Sequence, residues 1–152
     1  MHLAAKEFII TAQPEHLEEL VTMGIDLWPD YTAADLRTTF RQILASEKFI
    51  VFLYSYQEAF VGFLYVGLRT DYVEGSESSP TGYVEGIYVK PAFRRQGISR
   101  QLLQAGEAWV KAKGCTQMGS DIYSNNTVSY DFHTRVGFQE TARLITFIKD
   151  LN

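Results

Sequence analysis

The stretch that decides the fold is Val84-Glu-Gly-Ile-Tyr-Val-Lys-Pro-Ala-Phe-Arg-Arg-Gln-Gly-Ile-Ser-Arg-Gln-Leu-Leu103. Its first part is rich in β-branched and aromatic residues, which favour a strand, and a proline ends that strand. A basic turn that contains Gly97 follows, and an apolar periodicity typical of a helix begins at once. The backbone N–H groups of such a turn converge at a helix N-terminus, where the helix dipole adds positive potential. This arrangement predicts a pyrophosphate site, with further positive charge from Arg94, Arg95 and Arg100.

The remaining chain alternates short strands with amphipathic helices. The patterns predict strands at residues 6–12, 49–56, 60–70, 83–89, 116–121 and 144–149. They predict helices from Pro14 to Pro29, from Thr32 to Leu44, at 97–113 and at 126–136, with Thr11 and Thr32 as caps. The order is β-α-α-β-β-β-α-β-α-β, and no linker divides it, so residues 1–152 are expected to form a single domain.

Composition narrows the class of protein. With 152 residues, of which 46% are apolar and 21% charged, the chain is large enough to bury a core. A net charge of −4 argues against nucleic acid as a partner. The single cysteine, Cys115, excludes an internal disulfide and a multi-cysteine zinc site, and we expect no metal. The sequence shows no secretory signal and no membrane-length apolar run, so we expect a cytoplasmic protein.

The basic turn reads Arg94-x-x-Gly97-x-Ser99. It resembles the acyl-coenzyme A loop of the GNAT superfamily of N-acetyltransferases, usually Arg/Gln-x-x-Gly-x-Gly/Ala, with Ser99 as a departure at the last position. The order of elements also resembles that fold, which implies an α+β architecture with a central mixed β-sheet flanked by helices. The resemblance implies acetyl-coenzyme A as co-substrate, and it places at coenzyme positions Ile87, Tyr88, Val89, Arg95, Gln96, Gly97, Ile98, Ser99, Arg100 and Asn126.

Glu85 is a carboxylate in an otherwise apolar and aromatic strand. Simple alternation places it on one face with Tyr83, Ile87 and Val89. A buried carboxylate must be paired or its pKa rises, and beside an amine it could act as a general base, directly or through a water. The alternative is an edge-strand glutamate in solvent.

A second group of polar residues follows the next strand, beginning with Asp121. Asp121 ends that strand on the side where open α/β sheets bind ligands, although it could equally be a turn residue. Asn126 could cap the last helix, and in the family an Asn at this place also contacts the coenzyme.

The segment His133-Thr-Arg-Val-Gly-Phe138 resembles the family segment Tyr-x-x-Leu/Val-Gly-Phe, whose Tyr often protonates the leaving thiolate. His133 stands at the Tyr position and could serve as the acid, because histidine titrates near neutral pH. A structural role for His133 is the alternative, and Tyr123 and Tyr130 are other possible donors.

Two loops combine acids with aromatic rings, which suits a polyamine or amino sugar. They contain Asp26, Trp28, Asp30 and Tyr31, and then Asp71, Tyr72, Glu74 and Glu77. A solvated acidic loop with one packed tryptophan explains the same pattern.

Several motifs together resemble the aminoglycoside 6′-N-acetyltransferases over nearly the entire chain. They are Leu27-Trp-Pro29, Arg69-x-Asp-Tyr-Val-x-Gly75, Ser78-Ser-Pro80, Val84-Glu-Gly86, Gly114-Cys115 and Ser120-Asp121. The resemblance implies acetyl transfer to the 6′-amine of an aminoglycoside by direct attack in a ternary complex, and hence antibiotic resistance. It implies that a backbone N–H at the end of β-strand 83–89 stabilises the oxyanion, by position that of Val89, with Ile87 and Tyr88 as alternatives. It also implies that the sugar is contacted by Trp28, Tyr31, Tyr72, Glu85 and Asp121.

The same resemblance implies a homodimer with sheet or C-terminal strand contacts, for which Phe147 and Ile148 would be suited. One position departs from similar enzymes, which can carry an acid just before Arg143, where this chain has Ala142. Glu140 is the candidate substitute for that acid.

Two other functions compete with this one. The first is a GNAT acetyltransferase that acts on another small amine or a protein N-terminus. The second is a non-catalytic module that binds acyl-coenzyme A and aminoglycoside without releasing free thiol.

Overall fold

Five strands form one sheet in the order β1-β2-β3-β4-β5. The computed structural model describes residues 7–152, so Lys6, the predicted start of the first strand, lies outside the described residues. The strands are β1 (Glu7–Thr11), β2 (Phe49–Tyr56), β3 (Ala59–Arg69), β4 (Thr81–Val89) and β5 (Met118–Ser120). The first three pairings are antiparallel and β4 pairs with β5 in parallel. This mixed sheet confirms the predicted α+β class.

Four helices flank the sheet: α1 (Leu17–Leu27), α2 (Ala33–Ala45), α3 (Ile98–Ala112) and α4 (Thr127–Arg135). Thr32 caps α2 as predicted, because its hydroxyl accepts a hydrogen bond from the Asp35 N–H at 3.1 Å. The cap predicted at Thr11 is wrong, since Thr11 belongs to β1 and pairs with Phe52. The chain enters α1 through a short turn, in which the Gln13 N–H donates to His16 Nδ1 at 2.9 Å.

The sheet separates two apolar cores. On one face α1 and α2 pack through Leu20 and Phe40 against Phe63 of β3. On the other face α3 packs through Leu102 against Leu64, and Cys115 is buried in this second core. No helix within residues 7–152 is long and apolar enough to span a membrane.

A β-bulge interrupts β4 at Glu85. Tyr65 of β3 lies opposite Gly86, and the next residue, Val66, lies opposite Val84, so Glu85 is an extra residue in β4. Side-chain directions therefore reverse beyond Glu85. Tyr88 packs into the α1–α2 core, whereas Ile87 and Val89 pack on the α3 side. The prediction that Tyr83, Glu85, Ile87 and Val89 share one face is wrong, because the extra residue breaks the alternation.

The strand predicted at 144–149 is not formed by the single chain. Residues 139–152 carry no helix or strand, and Thr141 contacts the loop after β3 through Glu74. Beyond that contact the apolar side chains are exposed, Phe147 by 91% and Ile148 by 96%. A strand requires a neighbour that satisfies its backbone groups, and among the described residues this segment has none.

Candidate active site

The basic turn takes the predicted position between β4 and α3. A short turn at Pro91–Phe93 leads to Arg95 and Gly97, which have φ values of 64° and 80°. Positive φ at Gly97 directs the chain straight into α3 at Ile98, which is buried. The first-turn N–H groups of α3 therefore point into solvent beside basic side chains, the geometry that binds phosphates.

Free backbone groups run along one edge of β4. The Lys90 N–H bonds to Val61 of β3 at 2.8 Å, and backbone groups alternate in direction along a strand. The N–H groups of Ile87 and Val89 therefore point towards the β5 side. There β5 pairs only with residues 82–84 and ends at Ser120, which leaves a gap beside the second half of β4. At its far end the Val89 carbonyl accepts a hydrogen bond from Arg94 Nε at 2.8 Å.

Glu85 is neither solvated nor alone. Both of its oxygens bind the Arg69 guanidinium, at 2.8 and 2.9 Å, and its side chain is 18% exposed. The Arg69 Cζ also lies 3.4 Å from the centroid of the Tyr83 ring. These contacts raise the pKa of Arg69, chiefly through the hydrogen bonds to Glu85. Glu85 was expected to be paired if buried, and its partner is Arg69, the last residue of β3.

Asp121 joins the same network through Tyr83, whose hydroxyl donates a short hydrogen bond to Asp121 Oδ2. Burial, followed by the bond to Asp121, raises the pKa of Tyr83, so the phenol remains a donor at neutral pH. Asp121 is exposed while Glu85 is partly buried. The bulge and the end of β5 thus bring the two predicted carboxylates to one place, bridged by Arg69 and Tyr83.

Trp28 forms the wall beside the bulge. A Cβ atom at Gly86 would lie 2.6 Å from Trp28 Cζ2, so the indole lies directly on the β4 backbone. Its ring also packs near Phe40 and Phe63, with centroids 6.2 and 6.0 Å away. Trp28 therefore packs against the core and at the same time covers the β4 backbone beside the bulge.

A second tyrosine–carboxylate pair follows Trp28. The Tyr88 hydroxyl donates to Asp26 Oδ2 at 2.7 Å. Burial and this hydrogen bond raise the pKa of Tyr88 to about 12. This hydrogen bond holds Asp26, which lies near the C-terminal end of α1, against β4.

The outer aromatic residues are free to meet a ligand. Tyr31 is 56% exposed and Tyr72 is 80% exposed. The Tyr72 hydroxyl donates to Glu74 Oε2 at 2.6 Å. A surface cavity of about 310 Å³ is lined on this loop by residues that include Asp71, Tyr72 and Glu77.

Glu140 is engaged on two sides. It accepts a hydrogen bond from the Tyr130 hydroxyl at 2.9 Å and forms an ion pair with Arg143. The Arg143 guanidinium, followed by the Tyr130 hydroxyl, lowers the pKa of Glu140. Much of its charge is therefore already compensated within the chain.

The two polar residues of α4 have defined partners. Asn126 Oδ1 accepts the Ser129 N–H at 3.1 Å, so its capping role is confirmed. His133 contacts Ser120 Oγ through Nε2 at 2.7 Å and the Ser129 carbonyl through Nδ1 at 2.7 Å. The predicted acid is thus part of a hydrogen-bonded chain that ends at the last residue of β5.

Sequence reasoning did not assign a role to Arg69 or Ser120. For Arg69 a signal existed, because a buried glutamate on β4 needs a cation and Arg69 is the one Lys or Arg in neighbouring β3. For Ser120 no local pattern distinguishes it from other serines. Among the described residues, no group of His, Cys, Asp and Glu side chains could hold a metal ion.

Comparison with known proteins gives consistent matches over the whole fold. The model of the acetyltransferase (GNAT) family matches residues 15–138. The aminoglycoside N(6′)-acetyltransferase type 1 of Serratia marcescens is 37% identical over 144 residues, which cover 94% of this chain and 99% of the relative. The enzyme of the same name from Acinetobacter haemolyticus is 36% identical, over 93% of this chain and 97% of its own length.

Solved structures agree with these relatives. Aminoglycoside N-acetyltransferase AAC(6′)-Iy in complex with CoA superposes with a TM-score of 0.95 at 32% identity, covering 99% of each chain. AAC(6′)-Iy in complex with a bisubstrate analogue, CoA-S-monomethyl-acetylneamine, gives a TM-score of 0.92 at 34% identity, over 96% of this chain and 99% of that one.

Proposed function

Since the chain belongs to the acetyltransferase (GNAT) family, among the aminoglycoside 6′-N-acetyltransferases, we propose that it acetylates the 6′-amine of aminoglycoside antibiotics and so confers resistance. Acetyl-coenzyme A is the donor. One observation carries this proposal: the free edge of β4 runs from the basic turn to the bulge, where Glu85 and Asp121 meet. Donor and acceptor sites are thus joined by one strand.

The coenzyme lies with its pyrophosphate on the first turn of α3. The N–H groups of Ile98, Ser99 and Arg100 bind its oxygens, and the turn of Arg95, Gln96 and Gly97 surrounds them. The amide-rich pantetheine arm then pairs with Ile87, Tyr88 and Val89 in the manner of an added strand. Asn126 contacts the arm from the start of α4 while it caps that helix.

The aminoglycoside binds at the bulge, where its ammonium groups meet carboxylates. Glu85 and Asp121 contact the reacting ring, and Trp28 closes the site from the α1 side. The exposed rings of Tyr31 and Tyr72 stack on the outer sugars. Glu140 contributes less than an unpaired acid would, because Arg143 already compensates it.

The reaction is direct attack in a ternary complex. The neutral 6′-amine attacks the thioester carbonyl, and the Val89 N–H donates to the oxygen that becomes negative. Asp121 or Glu85 takes the amine proton through water, and Arg69 holds Glu85 in place. His133 supplies the proton that the leaving thiolate requires.

The assay is thiol release from acetyl-coenzyme A with tobramycin, compared with an aminoglycoside that carries a 6′-hydroxyl. We expect turnover of the amine compound alone. Asp121→Asn should lower kcat about 100-fold if it takes part in proton transfer, while Asp131→Asn, an exposed acid on α4, should not. Thiol release with other amines only would favour a different acceptor, and coenzyme binding without any thiol release would favour a non-catalytic module.

We also propose that two copies of the chain form a homodimer through the C-terminal segment. The supporting observation is that exposed apolar side chains concentrate there, at Leu144, Ile145, Phe147, Ile148 and Leu151. Within the described chain β5 is an edge strand with one partner, and an edge strand can accept another chain. The segment of one copy pairs with β5 of the other and so becomes the predicted strand at 144–149.

Light scattering on the purified protein tests the dimer. The full chain should have the mass of two copies, and Phe147→Asn together with Ile148→Asn should give a monomer. Asp150→Asn, which introduces the same residue just beyond the pairing segment, should remain dimeric. A monomeric full chain at micromolar concentration would contradict the pairing.

We place the protein in the cytoplasm, because its co-substrate is made and used inside the cell. Fractionation of expressing cells, with the activity assayed in each fraction, tests this assignment.

A further inference from the structure

Ser120 and His133 form a hydrogen-bonded pair, and the partner of the other ring nitrogen shows where the imidazole always carries a hydrogen. His133 Nδ1 lies 2.7 Å from the carbonyl oxygen of Ser129, which can only accept, so Nδ1 carries a hydrogen. Nε2 lies 2.7 Å from Ser120 Oγ. In the neutral ring Nε2 accepts the Ser120 O–H, and in the imidazolium it donates to Ser120 Oγ, which leaves the hydroxyl hydrogen free for another acceptor. The imidazole is held further by the rings of Phe132 and Phe138, with centroids 5.6 and 5.1 Å away.

The pair lies at the gap beside β4. Ser120 is the last residue of β5 and pairs with Val84 immediately before the bulge. Beyond this level β4 has no partner on the β5 side in the described chain, and its free N–H groups at Ile87 and Val89 face the gap. Ser120 therefore lies where the gap begins, beside the place where the thioester must lie if the coenzyme arm pairs with β4.

We propose that the Ser120 hydroxyl is the group that protonates the departing sulfur and that it receives its own replacement proton from His133. The proposal rests on the proposed function. Both ring nitrogens of His133 are occupied, and the one that faces β5 contacts Ser120. A proton from the imidazole therefore reaches the gap only through that hydroxyl.

The step balances as a two-proton transfer. When the C–S bond of the tetrahedral adduct breaks, its electron pair goes to sulfur. The Ser120 hydroxyl proton moves to sulfur, and the Nε2 proton of the His133 imidazolium moves to Ser120 Oγ. The oxyanion re-forms the C=O bond as the C–S bond breaks. The products are the 6′-acetamide, free thiol and a neutral imidazole whose Nδ1–H remains on the Ser129 carbonyl, and solvent returns the proton to Nε2.

Of the other candidate donors, Tyr130 is bonded to another residue and Tyr123 is exposed to solvent. The Tyr130 hydroxyl donates to Glu140 at 2.9 Å, and this bond raises the pKa of Tyr130. Tyr123 is 85% exposed on the loop after β5. Among these groups only Ser120 lies at the gap with a proton source behind it.

The first test measures single-turnover acetylation of tobramycin by the full-length protein. Ser120→Ala should lower the rate about 100-fold with an unchanged dissociation constant for acetyl-coenzyme A, because the hydroxyl acts on the leaving group. Ser120→Thr, which retains a hydroxyl, should recover most of the rate. Ser124→Ala removes a hydroxyl from the exposed loop four residues further on and is the matched control.

The second test separates a relay from a structural role. In mixtures of H₂O and D₂O the unaltered protein should show a curved dependence of rate on deuterium content, since two protons move together. Ser120→Ala should show a straight line, and Ser120→Ala with His133→Asn should be no slower than Ser120→Ala alone.

A Ser120→Ala rate within about twofold of the unaltered protein would overturn the relay, as would a loss that Ser120→Thr does not recover. A linear dependence on deuterium content in the unaltered protein would also overturn it. If the unaltered protein releases no thiol with tobramycin, the proposed function fails and the relay fails with it. If the unaltered protein acetylates tobramycin and Ser120→Ala does so at nearly the same rate, only the relay fails.

Discussion

Replacing Gly97 with Asp tests the proposed coenzyme site most directly. Gly97 has φ of 80°, and no atom lies within 4 Å of the position that a Cβ would take, so the new side chain has room. Its carboxylate would stand at the start of α3, where the pyrophosphate is expected. The substitution therefore adds negative charge to an anion site without a clash between the new Cβ and the rest of the protein.

The size of the effect follows from Coulomb's law at an exposed site. Two unit charges about 4 Å apart interact by about 1 kcal/mol in water and about 4 kcal/mol where water is partly excluded. Gly97 is exposed, so the lower half of that range applies, and the pyrophosphate presents two charges. Doubling the lower half of that range gives a loss of about 2–5 kcal/mol, which weakens acetyl-coenzyme A binding about 30-fold to about 4000-fold.

Gly114 provides a matched control. It has φ of 88°, no atom lies within 4 Å of its Cβ position, and it follows the opposite end of α3. Asp at either position carries the same charge and a left-handed backbone strain of about 1–2 kcal/mol, so both variants should lose similar thermal stability. Isothermal titration with acetyl-coenzyme A should show weakened binding for Gly97→Asp alone. Equal affinity in the two variants would refute the assignment of the basic turn to the pyrophosphate.

Three further outcomes are expected. Gly86→Ala should lower stability by about 1–3 kcal/mol in thermal unfolding and raise KM for the aminoglycoside, since the new methyl would overlap the packed ring of Trp28. KM for the aminoglycoside should rise steeply with salt, because exposed charges such as that of Asp121 are screened, and a flat profile would contradict an acidic cleft. Burial raises the pKa of Tyr65 from 10.0 to about 12, so the folded state keeps a proton that the unfolded chain loses and stability should fall as pH rises from 10 to 12. Tyr65→Phe should make that decline shallower in unfolding curves measured across the same pH range, and an unchanged slope would argue against the shift.

Local patterns were sufficient for most elements. The strand that ends before Pro91, the positive φ of Gly97 and the helix from Ile98 all follow from residue types close together in sequence. The cap of α2 by Thr32 is local in the same sense, since donor and acceptor are three residues apart. Such features depend on backbone preferences that each residue carries with it.

The bulge at Glu85 could not be predicted from the sequence of β4 alone. An extra residue becomes visible only when the facing residues Tyr65 and Val66 are known, because a bulge is a property of two strands. The extra residue placed the side chains of Ile87 and Val89 on the face opposite to Tyr83, and their N–H groups point towards the β5 side. It also placed the Glu85 side chain against Arg69. The predicted strand at 144–149 failed for a related reason, since pairing needs a neighbour that the single chain does not supply.

The sequence by itself determined the class of fold, the basic turn at the start of α3 and the two acids, Glu85 and Asp121. Tertiary structure decided how those acids are paired. Arg69 stands 16 residues from Glu85 and Tyr83 stands 38 residues from Asp121, yet each pair is in hydrogen-bond contact. Turn and helix preferences act over a few neighbouring residues, whereas charge compensation acts through space and depends on which strands the fold places side by side.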